Sequence, residues 1–236
     1  MSNSNTRFLI PHFKYQVTIL LEELGVEYDA WKINIMQQMQ FTSGFVKVNP
    51  NSKIPAMYDY GEDKNEPIRV FESGSILLYL AEKFGGRFLP KDVRSKTECI
   101  NWLMWQMGSA PSIGGGFGHF YKYAPIKIEY AINRFSMETK RLLDVLDQHL
   151  GEGNKKYICG DEYTIADMAI FPWIRCVKTG YNATTFLQLD GYKYVQQWVD
   201  RLQERKAVKR GIRVNGFRDD AVAERHAKED FSPEDY

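Results

Sequence analysis

Residues 49–84 read NPNSKIPAMYDYGEDKNEPIRVFESGSILLYLAEKF, and the fold turns on how this stretch is parsed. It reads as strand, loop, strand and helix. Ile54 precedes Pro55, and a residue before proline is pushed into an extended conformation. Proline lacks an N–H, so the strand opening at Ala56 starts with an edge that the chain cannot pair fully by itself. Ile54 can therefore present its own N–H and C=O to an extended peptide, as an added strand would use them. Arg69-Val70-Phe71 is a second short strand, and Glu72-Ser73-Gly74-Ser75 opens the apolar helix beginning Ile76-Leu77-Leu78. The free N–H groups of that helix start favour a carboxylate, and the Ser73 hydroxyl adds a donor. Glu72 suits the opposite charge, an ammonium. Together they describe a clamp for an amino-acid end followed by a peptide backbone. Each feature also has a plain structural reading: Ile-Pro begins strands in many folds, and serine at a helix entrance commonly serves as its cap.

The rest of the chain supplies a matching pattern. RFLIPHFKY over residues 7–15 holds a first strand and its turn. Gln16 to Gly25 follows as a helix, with Val17, Leu20, Leu21 and Leu24 on one buried face and Gly25 as the stop. Tyr28 to Ile35 reads as a second strand, and Phe41 to Val48 as a short helix or irregular segment. The order strand, helix, strand, helix, strand, strand, helix is that of a thioredoxin-like α/β unit ending near Phe84.

NPNSKIPA followed by FESGSILLYLAEK resembles the glutathione-binding half of the glutathione S-transferase superfamily, most closely its YghU-like (Nu-class) branch of bacterial disulfide-bond reductases. The resemblance extends from about Val17 to about Val214. It implies a thioredoxin-like domain with a cis proline, followed by an all-helical domain. It also implies that Glu72 and Ser73 hold the γ-glutamyl end of glutathione, with Gln40, Lys53 and the Ile54 backbone holding the remainder. YAINRF, residues 130–135, carries Arg134 off the apolar stripe of its helix. Read alone, Arg134 is a solvated charge; by the resemblance it reaches the glutathione carboxylates, where a guanidinium fork matches a carboxylate bidentately.

One part of the pattern is missing. Relatives carry a Thr-Pro-Asn segment after the first strand that directs donors at the glutathione sulfurs; here Pro11-His12-Phe13 occupies it. Three readings stay open: reduced activity, a nearby substitute such as His12 or Tyr15, or an unreliable N-terminal sequence. No catalytic side chain is identified beyond those two candidates, and Tyr15 more simply packs against the first helix. The N-terminal extension common in that branch is also missing.

Gly85 to Lys91 reads as a linker, giving expected domains over 1–88 (glutathione-binding) and 89–215 (helical), with a polar tail over 216–236 expected to be disordered or to strap over a partner. Lys96 to Gly108 is helical, and the run Gly114 to Gly118 is expected to interrupt it. That run is not a phosphate loop, since no Gly-Lys-Ser/Thr follows; it fits close helix approach, with His119, Tyr121 and Tyr123 as cleft-lining side chains. Pro125 fits an early helical position, and Ile128, Ile132, Phe135, Leu142, Leu146 and Leu150 mark a long amphipathic helix. Thr164-Ile165-Ala166-Asp167 has a capping-box pattern opening a buried helix, with Asp167 structural rather than catalytic. Tyr192 to Gln203 and Lys206 to Ile212 read as the last helices. Arg205, Lys206, Lys209 and Arg210 form a basic cluster read as a solvated helix face.

With 236 residues, 44% apolar and 26% charged, the chain has an ordinary globular composition. A net charge of +1 gives no reason to expect nucleic acid or an acidic membrane. The first residues lack a signal peptide's apolar core, so cytoplasm is the expected compartment. Three cysteines, Cys99, Cys159 and Cys176, are odd in number and lack C-x-x-C spacing, so neither a disulfide framework nor a metal site is expected. The reactive thiol would arrive with the ligand. The resemblance thus implies a homodimeric reductase of small disulfides using glutathione as co-substrate, with weak transferase or peroxidase activity alongside. The alternative is a transferase-like binding or regulatory protein that has lost turnover.

Overall fold

The computed structural model describes the backbone at residues 6–10, 15–61, 66–215 and 225–226, and side chains at 15–61 and 66–215. Pro11, His12 and Phe13, and most of the expected tail, lie outside the described residues. The chain forms two units, one up to Arg87 together with the stretch from Glu204, the other Phe88–Gln203.

In the first unit, β1 (Thr6–Ile10), α1 (Tyr15–Leu24) and β2 (Tyr28–Lys32) form a parallel β-α-β unit. After two short turns of tight helix and α2 (Ser43–Val48), β3 (Ala56–Asp59) and β4 (Ile68–Phe71) add antiparallel strands, and α3 (Ser73–Lys83) follows directly. The sheet order is β4-β3-β1-β2-β5, where β5 is the pair Arg225–His226 on the outer edge of β2. This is the expected thioredoxin-like arrangement.

The expected face of α1 is buried, but so is every residue from Gln16 to Leu24. The cause is α9 (Lys206–Gly211), which returns to cover the other side. Thr18 Oγ1 donates to the Gly211 carbonyl at 2.8 Å. A Cβ on Gly211 would stand 2.8 Å from the Ile19 Cα, so only glycine permits this approach. The basic cluster is therefore a solvated face only at Lys206 and Lys209; Arg205 and Arg210 are half-buried against α1. Arg205 donates through Nε and Nη2 to both carboxylate oxygens of Glu23, at 2.6 and 2.8 Å. Arg210 Nε meets Glu22 Oε2 at 2.9 Å, and Tyr28 donates its hydroxyl to Glu22 Oε1 at 2.6 Å. Buried carboxylates on α1 need these partners, because an unpaired buried charge is costly.

In the second unit, α4 (Val93–Pro111) is capped by Asp92, which accepts from the Ser95 N–H at 2.9 Å. The glycine run does not break it: Ser112–Tyr123 continues as a wide-turn π-helix. Its glycines are contact points, with Gly114 against Trp173, Gly116 against Phe135 and Gly118 against Tyr181. Pro125 lies in a bend, and α5 (Glu129–Gly151) begins later than the proline suggested. α6 (Ile165–Thr179) is the buried centre, followed by the single turn α7 (Thr184–Leu187) and α8 (Lys193–Gln203). The capping box at Thr164 is present, with Asp167 Oδ2 accepting the Thr164 N–H at 3.0 Å.

Candidate functional site

Asn49 shapes the turn that delivers Ile54. Its Oδ1 accepts the Asn51 N–H at 2.9 Å, its carbonyl accepts Ser52 N–H at 3.0 Å, and its Nδ2 donates to the Lys53 carbonyl at 2.5 Å. Asn49 is buried, whereas the Lys53 side chain projects into solvent. The Ile54 side chain packs on Ile33, Phe45, Val48 and Ala56. With the side chain anchored and the Ile54-Pro55 bond cis, the Ile54 N–H and C=O have no backbone partner among the described residues. An extended peptide finds both groups ready, as an edge strand offers them.

The sheet register brings the other half of the clamp alongside. Ala56 pairs with Phe71. Continuing past that pair sets Pro55 and Ile54 at the same end of the sheet as Glu72 and Ser73. Glu72 holds φ +67 and ψ 123, a conformation that side chains rarely adopt. Strain of that kind clusters at ligand clamps. Glu72, not Ser73, sits in the cap position, and it makes no capping bond with its side chain, which points to solvent. Ser73 is the first helical residue of α3 and is half-buried. The helix start thus presents backbone N–H groups and a hydroxyl beside an exposed carboxylate.

What fixes α3 in this position was not read from the sequence. Asp59, at the end of β3, accepts the Tyr79 hydroxyl at 2.7 Å, the Lys83 ammonium, and the Gly61 N–H at 2.9 Å. Burial alone would raise the Asp59 pKa, but the Lys83, Tyr79 and Gly61 hydrogen bonds outweigh it and hold the carboxylate below its ordinary value. The signal was an aspartate at an inward strand position in AMYD, with a tyrosine and a lysine one turn apart on α3.

Gln40 lies in the turn between β2 and α2, half-buried, and its Oε1 is enclosed without a hydrogen-bond partner among the described residues. Arg134 belongs to the second unit, on α5; its side chain is 59% exposed and its Nη1 lies 3.9 Å from Glu138 Oε2. Its guanidinium is therefore only loosely partnered by that carboxylate. Tyr15 opens α1, while His12 lies outside the described residues. In the second unit His119 and Tyr123 are exposed, and Tyr121 stacks on Phe117 with ring centroids 4.8 Å apart. All three cysteines fall in the second unit, so no thiol of this chain lies on the unit that carries the clamp. Among the described residues no cluster of three or more His, Cys, Asp or Glu could hold a metal ion.

Comparison with known proteins agrees with this fold. Residues 6–82 match the profile described as the glutathione S-transferase N-terminal domain, and residues 129–201 the C-terminal domain. The chain is 60% identical over 227 residues to the disulfide-bond oxidoreductase YghU of Escherichia coli, covering 92% of this chain and 77% of that protein. A glutathione transferase YghU from Streptococcus pneumoniae, solved in complex with glutathione, superposes with TM-score 0.84 at 48% identity, covering 92% of this chain and 85% of that one. A glutathione transferase from Pseudomonas putida, solved with one glutathione disulfide per subunit, gives TM-score 0.83 at 35% identity, covering 90% and 92%. A thioredoxin-like sheet with its cis-proline clamp, a capped helical unit and these matches leave one assignment: the chain belongs to the glutathione S-transferase superfamily.

Proposed function

We propose that this protein is a glutathione-dependent disulfide-bond oxidoreductase that reduces small disulfides with thiols supplied by bound glutathione. The observation that carries the reading is the joining of Ile54-Pro55 and Glu72-Ser73 at one sheet end. The Ile54 N–H and C=O pair with the tripeptide's cysteinyl backbone. Ser73 and the first N–H groups of α3 take the γ-glutamyl carboxylate, and Glu72 takes its ammonium. Gln40 and Lys53 complete the grip on the charged ends. The relatives solved with glutathione and with glutathione disulfide support this ligand class.

The chemistry conserves its atoms without an enzyme cysteine. One glutathione thiolate attacks a sulfur of the substrate disulfide, forming a mixed disulfide and expelling one substrate thiolate. A second glutathione thiolate attacks the glutathione sulfur of that mixed disulfide, releasing the other substrate thiolate and glutathione disulfide. The protein contributes position and donors to the attacking thiolate. Conjugation of the same thiolate to electrophiles and reduction of peroxides are side activities of this arrangement.

The protein works as a homodimer in the cytoplasm, where glutathione is kept reduced. Met36, Phe41 and Val46 are exposed on the segment after β2, 84%, 64% and 36% respectively, which suits an apolar face covered by a second copy. The missing Thr-Pro-Asn segment favours the second reading, a binding protein without turnover. Reduction of hydroxyethyl disulfide by glutathione separates the two. Turnover is expected; binding of glutathione with no turnover assigns the chain to the second reading.

A further inference from the structure

The segment between β2 and α2 is closed by a thioether. The Asn34 N–H donates to Met39 Sδ at 3.4 Å, and the Met39 N–H returns to the Asn34 carbonyl at 3.2 Å. Asn34 also holds the turn between them: its carbonyl accepts the Gln37 N–H at 3.1 Å, and its Oδ1 the Met36 N–H at 3.1 Å. Gln38, inside this turn, holds φ +57, a conformation that side chains rarely adopt and that the surrounding bonds must maintain. On its far side the Met39 carbonyl accepts the Thr42 N–H at 3.2 Å and the Thr42 hydroxyl at 2.8 Å, where Thr42 is the cap residue of α2. Gln40, with its enclosed Oε1, lies between these two ties. Met39 is 36% exposed, so the sulfur that completes the closure is open to small solutes.

We propose that Met39 is a peroxide-sensitive modification site: oxidation of its thioether to the sulfoxide opens residues 34–42 and weakens the hold of Gln40 on glutathione. The weaker hold rests on the glutathione reading above, whereas the opening of the segment does not.

A sulfur lone pair attacks the terminal oxygen of a hydroperoxide. The O–O bond breaks, the oxygen stays on sulfur, and the hydroperoxide's proton ends on the departing alkoxide or hydroxide, giving alcohol or water. Sulfur loses two electrons and the peroxide gains them. Both sulfoxide epimers disturb the closure. In one, the new oxygen stands on the lone pair that receives the Asn34 N–H and displaces that hydrogen. In the other, the positive charge left on sulfur makes an already weak acceptor poorer still. The side chain also turns from apolar to polar. Met36, on the same segment and 84% exposed, is open to the same reagent, but the Asn34 N–H does not depend on its sulfur. Met57 and Met168 are fully buried and withdrawn from it.

The test exposes the full-length chain to hydrogen peroxide, removes the peroxide, and restores the cysteines with excess dithiothreitol, leaving sulfoxides in place. Peptide mapping then locates added oxygen, hydrogen exchange reads the Asn34 amide, and calorimetric titration reads glutathione. Expected are one added oxygen on Met39, faster exchange at Asn34, and a glutathione Kd raised roughly three- to tenfold, as loss of one modest hydrogen bond would give. Methionine sulfoxide reductases of both epimer specificities restore exchange and affinity. Met36→Leu responds as the parent chain does, and Met39→Leu, which nearly keeps the volume, shows no further change on treatment. Met39 left unmodified while Met36 carries oxygen overturns the proposal. So does a Met39 sulfoxide with unchanged Asn34 exchange or unchanged affinity, or a peroxide effect of full size in Met39→Leu. An untreated chain that binds no glutathione defeats the reductase reading instead, and the exchange at Asn34 then decides for or against the opening.

Discussion

The Trp198 indole N–H donates to Asp167 Oδ1 at 2.8 Å, which ties α8 to the N-terminus of α6 through a carboxylate that is fully buried. The same oxygen accepts the Ile158 N–H at 2.9 Å, and Oδ2 accepts the Thr164 N–H. Four donors, counting the Thr164 hydroxyl at 3.3 Å, converge on one side chain. Asp167→Ala strands them and is expected to lower unfolding free energy by about 3–5 kcal/mol, the range for breaking a buried charged network. Trp198→Phe keeps most of the ring packing and removes one donor, so its loss should be smaller. Urea unfolding of the two variants checks both.

Burial pushes the Asp167 carboxyl up to about 6 from the ordinary 3.8, against the pull of the Ile158, Trp198 and Thr164 donors. A raised folded-state pKa favours the protonated form in the native state. Its contribution is complete below the ordinary value and is lost as pH rises through about 6. Asp59 acts in the opposite sense: its folded pKa is lowered, so its contribution is present above 3.8 and disappears as pH falls through the lowered value. Urea midpoints across mildly acidic pH should therefore fall toward neutrality in the parent chain. Asp167→Asn should be less stable throughout but flatter in that window.

Gly211→Ala tests the close contact of α1 and α9. The new methyl would meet Ile19 backbone atoms at 2.8 Å, and a backbone cannot step aside as a flexible side chain does. A loss of about 1–3 kcal/mol is expected from the forced shift. An unchanged denaturation midpoint would show that the helices can separate without cost.

Ser73→Ala removes the hydroxyl beside the first turn of α3. Glutathione affinity should weaken by about 1–3 kcal/mol, as calorimetric titration would measure. Glu72→Gln keeps the shape and removes the charge that attracts an ammonium, so it should weaken glutathione more than a ligand lacking that ammonium.

Much of this molecule was legible in its sequence because local rules and tertiary packing agree there. Gly25 stops α1, Asp167 closes the capping box of α6, and Ile54-Pro55 opens β3, each by chemistry confined to a few neighbouring residues. The misreadings share one cause: partners distant in sequence. Arg205 and Arg210 looked solvated because their carboxylates lie on α1, more than 180 residues earlier. Asp59 depends on Tyr79 and Lys83, which lie 20 and 24 positions further along the chain on α3. The glycine run looked like a break because its role depends on Trp173, Phe135 and Tyr181, which no local pattern reveals. In the clamp, Glu72 and Ser73 were read correctly as the β4–α3 junction, yet the positive φ of Glu72 was not, since nothing in its neighbours' identities demands it.

The most direct measurement is a crystal structure of the protein grown with an excess of glutathione. The account predicts a tripeptide whose cysteinyl N–H and C=O pair with the Ile54 backbone, with its γ-glutamyl carboxylate on Ser73 and the start of α3. Well-ordered crystals in which only water lies against Ile54, Glu72 and Ser73 would contradict it.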